Sequence, residues 1–323
     1  MSEEHPLVSV VIATYNRPAY LRSAIASVSR GSYQNFEIVV TDDAGPKENR
    51  EVAESFQDPR VRYRRNKMRL GGTGNHREAI KVLAGEYVGL LNDDDEWEPR
   101  CLELLVPVLR NHPEVVIAFG DHHVIHANGV IDAAATEEST MRWKRDRLSA
   151  GSHQPFYEIA LLDQSIPMVA ALVRKNAIDW DDSPLEVGSL YDFWVTYLAC
   201  RNGGAAWYCP ERIARYRVHS MNDSVVGGQR TTKSSIYVYS RMVRDPQLAE
   251  LRPKLQQRLA RAQLSYGIIL LEHGRAKEAR KYLAPALLRG QRARAAIALG
   301  VSYLPKLFAP AVIGRLRGAR HLR

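Results

Sequence analysis

Three aspartates in succession, Asp93-Asp94-Asp95, follow directly on the apolar run EYVGLL at 86–91. Adjacent carboxylates repel one another, so such a run favours a counter-cation, and oxygen donors suit Mg2+ or Mn2+. The plain alternative is a solvated acidic turn that caps a helix beginning near Pro99. A second pair, Asp42-Asp43, ends the run FEIVVT at 36–41. It could cap a turn or accept a hydrogen bond from a nucleobase N–H. Tyr15, in TYNRP after the run LVSVVIA at 7–13, could stack on such a base or pack within its loop. The stretch Gly71-Gly72-Thr73-Gly74 is neither G-x-G-x-x-G nor a P-loop. It reads as a turn that could lie near a pyrophosphate, with His76 and Arg77 beside it, or as an ordinary loop. His219, in RYRVHS, is a lone histidine after a strand, for which a structural role is the commoner one. His122, His123 and His126 raise zinc by their number. They sit on an expected hairpin around Asn128-Gly129 with no carboxylate at ligand spacing, so no zinc site is expected there.

These side chains can act together only if the backbone gathers them. The uninterrupted β-branched runs at 7–13, 36–41 and 86–91 read as buried parallel strands. Between them, Pro18 opens a helical spacing of Leu21, Ile25 and Val28, a polar helix is expected around 47–57, and a short strand near 61–64. Residues 75–84 read as helix. Alternation of strand and helix predicts an open, mostly parallel sheet with helices on both faces. Ligands of such sheets bind beyond the carboxyl ends of the strands. Tyr15, Asp43 and Asp93–Asp95 all fall at that edge. Further along, 115–119 and 166–174 are strand candidates, 188–201 a helix, 206–218 a short strand pair, and the chain turns helical from about 232.

At this point the ordered segments VSVVIATYNRPAYLRSAIASV, FEIVVTDDAG, GEYVGLLNDDDEWEP, YDFW and RYRVHS resemble family 2 glycosyltransferases. The resemblance covers about residues 6–225. It implies the three-layer α/β/α nucleotide-sugar-binding fold called GT-A and an inverting transfer from a nucleotide-diphosphate donor, UDP or dTDP favoured. It assigns the donor to the loop Thr14, Tyr15, Asn16 and Arg17, with Tyr15 on the base, and to Asp43, Arg77 and Asp93. It implies a divalent cation, Mn2+ or Mg2+, at Asp94, Asp95 and His219. The family often reads Leu-Asp-X-Asp-Asp at the acidic run, where this chain has Asn92 first. The acidic pair that commonly precedes the aromatic-acid-aliphatic-Trp helix start is Ser189-Leu190 here. Asp192 is therefore the expected general base, with Glu186 and Asp182 next. A helix-capping carboxylate is the alternative for Asp192. The implied acceptor is a saccharide or a lipid-linked saccharide, in cell-envelope or exopolysaccharide synthesis.

Composition bounds the rest. The chain has 323 residues, 45% hydrophobic and 25% charged, a globular balance that excludes disordered, collagenous and disulfide-scaffold classes. Cys101, Cys200 and Cys209 are too few and scattered for a disulfide framework, so a reducing cytoplasm is expected. The acidic start MSEEHPLVSVVIATYN lacks the features of a secretory leader. Net charge is +9 but uneven: residues 241–323 hold 18 Lys and Arg against 4 Asp and Glu, and the first 240 hold 27 against 32. A catalytic domain is thus expected over 1–228 and a basic helical region over 229–323. In the latter, 262–287 reads as a helical hairpin turning at His273-Gly274, with Gly267, Leu270, Ala279, Leu283 and Ala286 at tetratricopeptide-like positions. A single such hairpin needs something to stack on, within the chain or in an oligomer. The apolar, proline-broken segment 295–314, followed by Arg315, Arg317, Arg320 and Arg323, reads as an anchor on an anionic inner membrane face or as a helical cap. A nucleotidyltransferase would need a Gly-rich basic signature after the first strand, where TYNRP stands. A nucleic-acid-binding tail is disfavoured by its lack of interleaved aromatics. A degenerate transferase that binds nucleotide sugar without turnover stays open through Ser189-Leu190.

Overall fold

The computed structural model describes residues 5–220, 228–288 and 292–303. The chain divides into two compact units, Met1–Met221 and Asn222–Arg323. The first is built on nine strands: β1 (Val8–Thr14), β2 (Phe36–Asp42), β3 (Val61–Arg65), β4 (Tyr87–Asn92), β5 (Glu96–Trp97), β6 (Val115–Ile125), β7 (Gly151–His153), β8 (Ala171–Arg174) and β9 (Ala205–Arg217). They form one sheet in the order β3-β2-β1-β4-β8-β6-β9-β5, with β7 also on β9. Strands β1, β2, β3, β4, β6 and β9 run one way, and β5, β7 and β8 oppose them. The mostly parallel α/β architecture expected from the strand runs is the one observed.

Buried on both faces, the central strands can be apolar throughout. Val8, Val10 and Ile12 of β1 join Ile38 and Val40 of β2 in one apolar cluster. Leu21, Ala24 and Ile25 of α1 (Pro18–Ser29) and Leu102, Leu105 and Leu109 of α4 (Cys101–Asn111) complete that layer. The alternate residues Val11, Val39 and Thr41 point to the other face. There α3 (Gly71–Ile80), which follows α2 (Lys47–Glu54) and β3 in the chain, packs on β1 and β2; α5 (Ala133–Arg142) follows β6. Parallel register brings Thr14 beside Asp42 and Ala13 beside Asn92, so three acidic or polar strand ends finish at one level.

Local structure departs from the sequence expectations at four places. The glycine stretch 71–74 is the first turn of α3 rather than a loop. Glycine is a poor helix former, so tertiary contacts hold this turn, as described below. Residues 206–218 are one long strand, β9, rather than a strand pair, because it pairs β6 along most of its length. Strand 166–174 begins only at Ala171, after a 3-10 turn over Met168–Ala170. Helix 188–201 begins at Tyr191 as α6 (Tyr191–Arg201), because Gly188 at φ 58°, ψ −123° breaks the preceding 3-10 segment Leu185–Leu190. The hairpin around Asn128-Gly129 is present: His126 N–H donates to Val130, and Ile125 bridges Ile131.

In the second unit, α7 (Gly228–Arg244), α8 (Arg252–Glu272), α9 (Ala276–Leu288) and α10 (Arg292–Val301) are helical. The hairpin expected at 262–287 is α8 and α9, turning at Gly274 with φ 71°. Leu270, Ala279, Leu283 and Ala286 are fully buried between them. Gly267 lets the helices approach closely, since a Cβ there would lie 2.5 Å from Leu283 Cδ2. Among the described residues no helix is long and apolar enough to cross a membrane. Of the segment 295–314, residues 304–314 lie outside the described residues, as do the arginines that follow.

Candidate active site

The acidic run sits where β4 ends, and its three carboxylates face different partners. Asp93 accepts hydrogen bonds from Thr14 Oγ1 (2.7 Å) and the Tyr15 amide (3.3 Å), which ties it to the end of β1. Asp94 Oδ2 is held by Arg17 Nη1 (2.7 Å) and His219 Nε2 (2.9 Å). Arg17 Nη1 also reaches Asp93 Oδ1 at 3.2 Å. Asp95 turns away from this group. Its carboxylate accepts from the Arg217 amide (2.9 Å) and Asn92 Nδ2 (3.2 Å), binding the acidic run to the end of β9. Burial, with Asp94 beside it, lifts the Asp93 carboxyl to about 7. The same two causes, in the same order, raise Asp95 well above the ordinary carboxylate range. Crowded carboxylates in a dry rim need positive charge, and here Arg17 supplies it.

His219 is not a lone residue. It stacks on Tyr20 of α1 at 5.2 Å, and the Arg217 guanidinium lies 5.0 Å over the same Tyr20 ring. Arg217 also ion-pairs with Glu96 and donates to the Asp94 carbonyl (2.8 Å). The end of β9 is thus clamped onto the acidic run through main chain and side chain together.

The two aspartates where β2 ends divide their work. Asp42 accepts from the Gly45 amide (2.7 Å), Asn49 and Tyr63, closing its own turn. Asp43 accepts from the Leu70 amide (2.7 Å), the Gly71 amide (2.8 Å) and Asn66 Nδ2 (3.0 Å). Two of the N–H groups that a helix start leaves unpaired are therefore satisfied by a carboxylate from another element. This is what holds the glycine-rich turn of α3 in place. Thr73 Oγ1 extends the link by donating to the Gly188 carbonyl (2.9 Å), which fixes the segment leading into α6. Tyr15 is 41% exposed and lies under the Arg69 guanidinium at 4.0 Å. Asn16 takes the left-handed conformation (φ 57°) that turns the chain between β1 and α1.

Asp192, in the first turn of α6, is half-buried, and among the described residues its carboxylate accepts no hydrogen bond. Burial raises its pKa, the nearby His76 charge opposes that rise, and Asp94 adds to it. Asp192 therefore lies within electrostatic reach of the acidic run. His76 is buried, stacks on Tyr191 at 4.5 Å and bonds the Gly72 carbonyl through Nδ1 (2.9 Å); since a carbonyl only accepts, Nδ1 carries the proton. Burial lowers the His76 pKa. Arg77, half-buried on α3, exerts its charge on the Tyr191 hydroxyl. Of the other base candidates, Asp182 pairs with Arg201 (3.3 Å) and Glu186 is exposed. His122 and His126 have separate partners, Ser139 and Asp132.

Among the described residues no three carboxylate, imidazole or thiolate groups form a ready metal cage. Asp94 Oδ2 and His219 Nε2 nevertheless lie 2.9 Å apart at the carboxyl edge of the sheet, bonded to each other and, at the oxygen, to Arg17. Two such donors fit a cation of the Mg2+ or Mn2+ kind that draws its other ligands from a diphosphate and water.

Spacing did not single out Arg69, Tyr20, Asn66 or Arg217, although Arg217 lies inside RYRVHS. Their roles depend on contacts across strands, for which the local sequence carries no signal.

The mostly parallel sheet thus brings its acidic strand ends to a histidine that follows its last long strand. Residues 9–160 match the family model of glycosyl transferase family 2. The chain is 26% identical over 240 residues to an uncharacterized glycosyltransferase of Methanocaldococcus jannaschii, covering 73% of this chain and 78% of that protein. It is 26% identical over 125 residues to the UDP-Glc:alpha-D-GlcNAc-diphosphoundecaprenol beta-1,3-glucosyltransferase WfgD of Escherichia coli, covering 39% of this chain and 49% of that protein. Among solved structures it resembles S. aureus TarS 1–349 in complex with UDP-GlcNAc, with TM-score 0.65 at 14% identity over 98% of this chain and 93% of that one. It also resembles the mannosyltransferase PcManGT of Pyrobaculum calidifontis in complex with GDP-Man and Mn2+, with TM-score 0.57 at 18% identity, covering 98% and 86%. Those two likenesses are likenesses of fold.

Proposed function

We propose that this chain transfers a sugar, with inversion, from a nucleotide-diphosphate donor to a saccharide or lipid-linked acceptor. UDP or dTDP is the favoured nucleotide, and cell-envelope or exopolysaccharide synthesis the favoured setting. The observation that carries the reading is the meeting of Asp93, Asp94 and His219 at one sheet edge, with Asp192 in electrostatic reach. Likeness to a lipid-linked glucosyltransferase and to a UDP-GlcNAc complex supports the choice of donor and acceptor class.

In this reading the exposed Tyr15 ring carries the base, and Asp43 offers its edge a carboxylate whose remaining lone pair is free to accept. Asp93 receives the ribose, while Thr14 and Asn16 shape the loop. Arg17 and Arg77 face the phosphates. Mn2+ or Mg2+ on Asp94 and His219, with Asp95 fixing the backbone of the run, would neutralise the charge that develops on the departing diphosphate. Asp192 takes the acceptor hydroxyl's proton as that oxygen bonds to C1 and the C1–O bond to the diphosphate breaks. A single displacement from the face opposite the leaving group inverts the anomeric centre. Burial of Asp192 makes it a stronger base than an exposed aspartate. The catalytic machinery is assigned to residues 1–228. Within the basic region 229–323, the segment 295–314 with the arginines that follow it is assigned to attachment at an anionic inner membrane face, tested by flotation with anionic liposomes of the chain with and without residues 290–323.

Titration calorimetry with UDP, dTDP and GDP, each with and without Mn2+, tests the reading. Binding of a uridine or thymidine diphosphate, strengthened by Mn2+ and lost in Asp94→Asn, is the expected result. Failure of every nucleoside diphosphate to bind would refute it.

A further inference from the structure

The positive charge that faces the acidic run belongs to the chain itself. Arg17 Nη1 stands 2.7 Å from Asp94 Oδ2 and 3.2 Å from Asp93 Oδ1. His219 Nε2 addresses the same Asp94 oxygen at 2.9 Å. A cation shared by Asp94 and His219 would need the oxygen that Arg17 holds. The two carboxylates are closely buried, at 3% and 6% exposure, so neither is stable without a counter-charge. The Arg17 side chain, by contrast, keeps 22% exposure. It springs from the loop between Asn16, already in a left-handed turn, and Pro18, the first residue of α1. Its flexible stem can swing toward solvent without moving that backbone.

We infer that Arg17 is a resident counter-cation that competes with a divalent metal for Asp94 and is released toward the donor's diphosphate. The inference rests on the reading of Asp94 and His219 as cation donors. A guanidinium and a divalent ion repel strongly when both lie within about 3 Å of one oxygen, so occupancy by one excludes the other. A nucleoside diphosphate changes the balance, because its phosphate oxygens give the displaced guanidinium a planar, two-pronged partner. Metal alone then binds weakly, and metal with nucleotide binds well. Arg17 is thus a positioning residue that couples the two arrivals, and it keeps the acidic run neutralised in between.

The test uses the full chain as wild type, Arg17→Gln, Arg17→Met and Arg17→Lys. Mn2+ binding is read by electron paramagnetic resonance of the free ion and by calorimetry, with and without UDP. Mn2+ alone is expected to bind Arg17→Gln and Arg17→Met about tenfold more tightly than wild type. The gain in Mn2+ affinity that UDP brings is expected to shrink in both. Arg17→Lys, which keeps a positive charge, is expected to stay near wild type. A loss of structure alone would weaken metal binding, so tighter binding by two neutral variants is a result that damage does not mimic. Wild-type uptake of Mn2+ with UDP, joined to no gain for Mn2+ alone in either neutral variant, would overturn the inference and leave the site reading intact. No Mn2+ uptake by any form, even with UDP, would overturn both.

Discussion

Replacing Asp192 by asparagine tests the proposed chemistry with little disturbance of the fold. Among the described residues no hydrogen bond depends on the carboxylate, and burial, its largest cause of pKa elevation, works against the charged form. An amide of the same shape breaks no ladder and relieves that cost, so the melting temperature should hold or rise slightly. The rate should not survive. A positioned general base contributes about 10²–10⁴-fold, and an amide cannot take the acceptor's proton at neutral pH. Transfer should therefore fall by about that factor while the UDP dissociation constant stays within a few-fold of wild type. The pH profile adds a second reading. A base acts when deprotonated, so wild-type kcat/KM should rise with pH through the elevated Asp192 pKa, above the ordinary 3.8. Burial outranks the Asp94 contribution, so the elevation should persist when a cation neutralises Asp94. Radiolabelled sugar transfer across a pH series, beside calorimetry with UDP, makes both measurements. Undiminished turnover in Asp192→Asn, or an unchanged acid limb, would refute the assignment of the base.

Other consequences can be checked separately. Asp43→Ala orphans the Leu70 and Gly71 amides at the start of α3 and should cost about 1–3 kcal/mol in denaturant unfolding, with weaker UDP binding. Gly267→Ala would set a methyl 2.5 Å from Leu283 Cδ2; overpacking should cost about 1–3 kcal/mol, read by calorimetric melting. His122 is buried, with its pKa lowered to about 4 from 6.5, first by burial and then by Arg145. Between those values the unfolded chain binds a proton that the folded chain refuses, so stability should fall as pH drops through that window. A urea series at pH 7, 6 and 5 should show a steeper acid loss for wild type than for His122→Gln.

Much of this fold is legible in local sequence because its central strands are buried on both faces. LVSVVIA, FEIVVT and EYVGLL carry nothing but apolar and β-branched side chains over most of their length, and each stops at a polar residue where the sheet ends. The α8–α9 hairpin is legible for a related reason: Gly267, Leu270, Leu283 and Ala286 recur at helical spacing, and the two helices meet along that line. The glycines at 71–74 mislead, since their own preference is for a turn. The helix they form is imposed from β2 by Asp43, a residue about thirty positions earlier, which no window of local sequence contains. A still longer separation, 115 residues, hides the link from Thr73 to Gly188, where the segment before α6 breaks.

The candidate site shows the same division between position and charge. That Asp93, Asp94 and His219 meet follows from strand ends, which sequence reveals. How their charge is balanced does not, because balance comes from side chains that reach across the edge: Arg17 from the loop after β1, and Arg217 with Tyr20 behind His219. Three adjacent aspartates read in one dimension look like three equal ligands. In three dimensions Asp95 faces the Arg217 amide, Asp93 faces Thr14, and Asp94 holds both the Arg17 and the His219 contacts. Substitutions along the run should therefore be unequal. Asp95→Asn keeps an oxygen for the Arg217 amide and should act mainly on stability, whereas Asp94→Asn should act mainly on Mn2+ uptake with UDP. Equal loss of Mn2+ uptake in the two variants, at equal melting temperature, would contradict this division of roles.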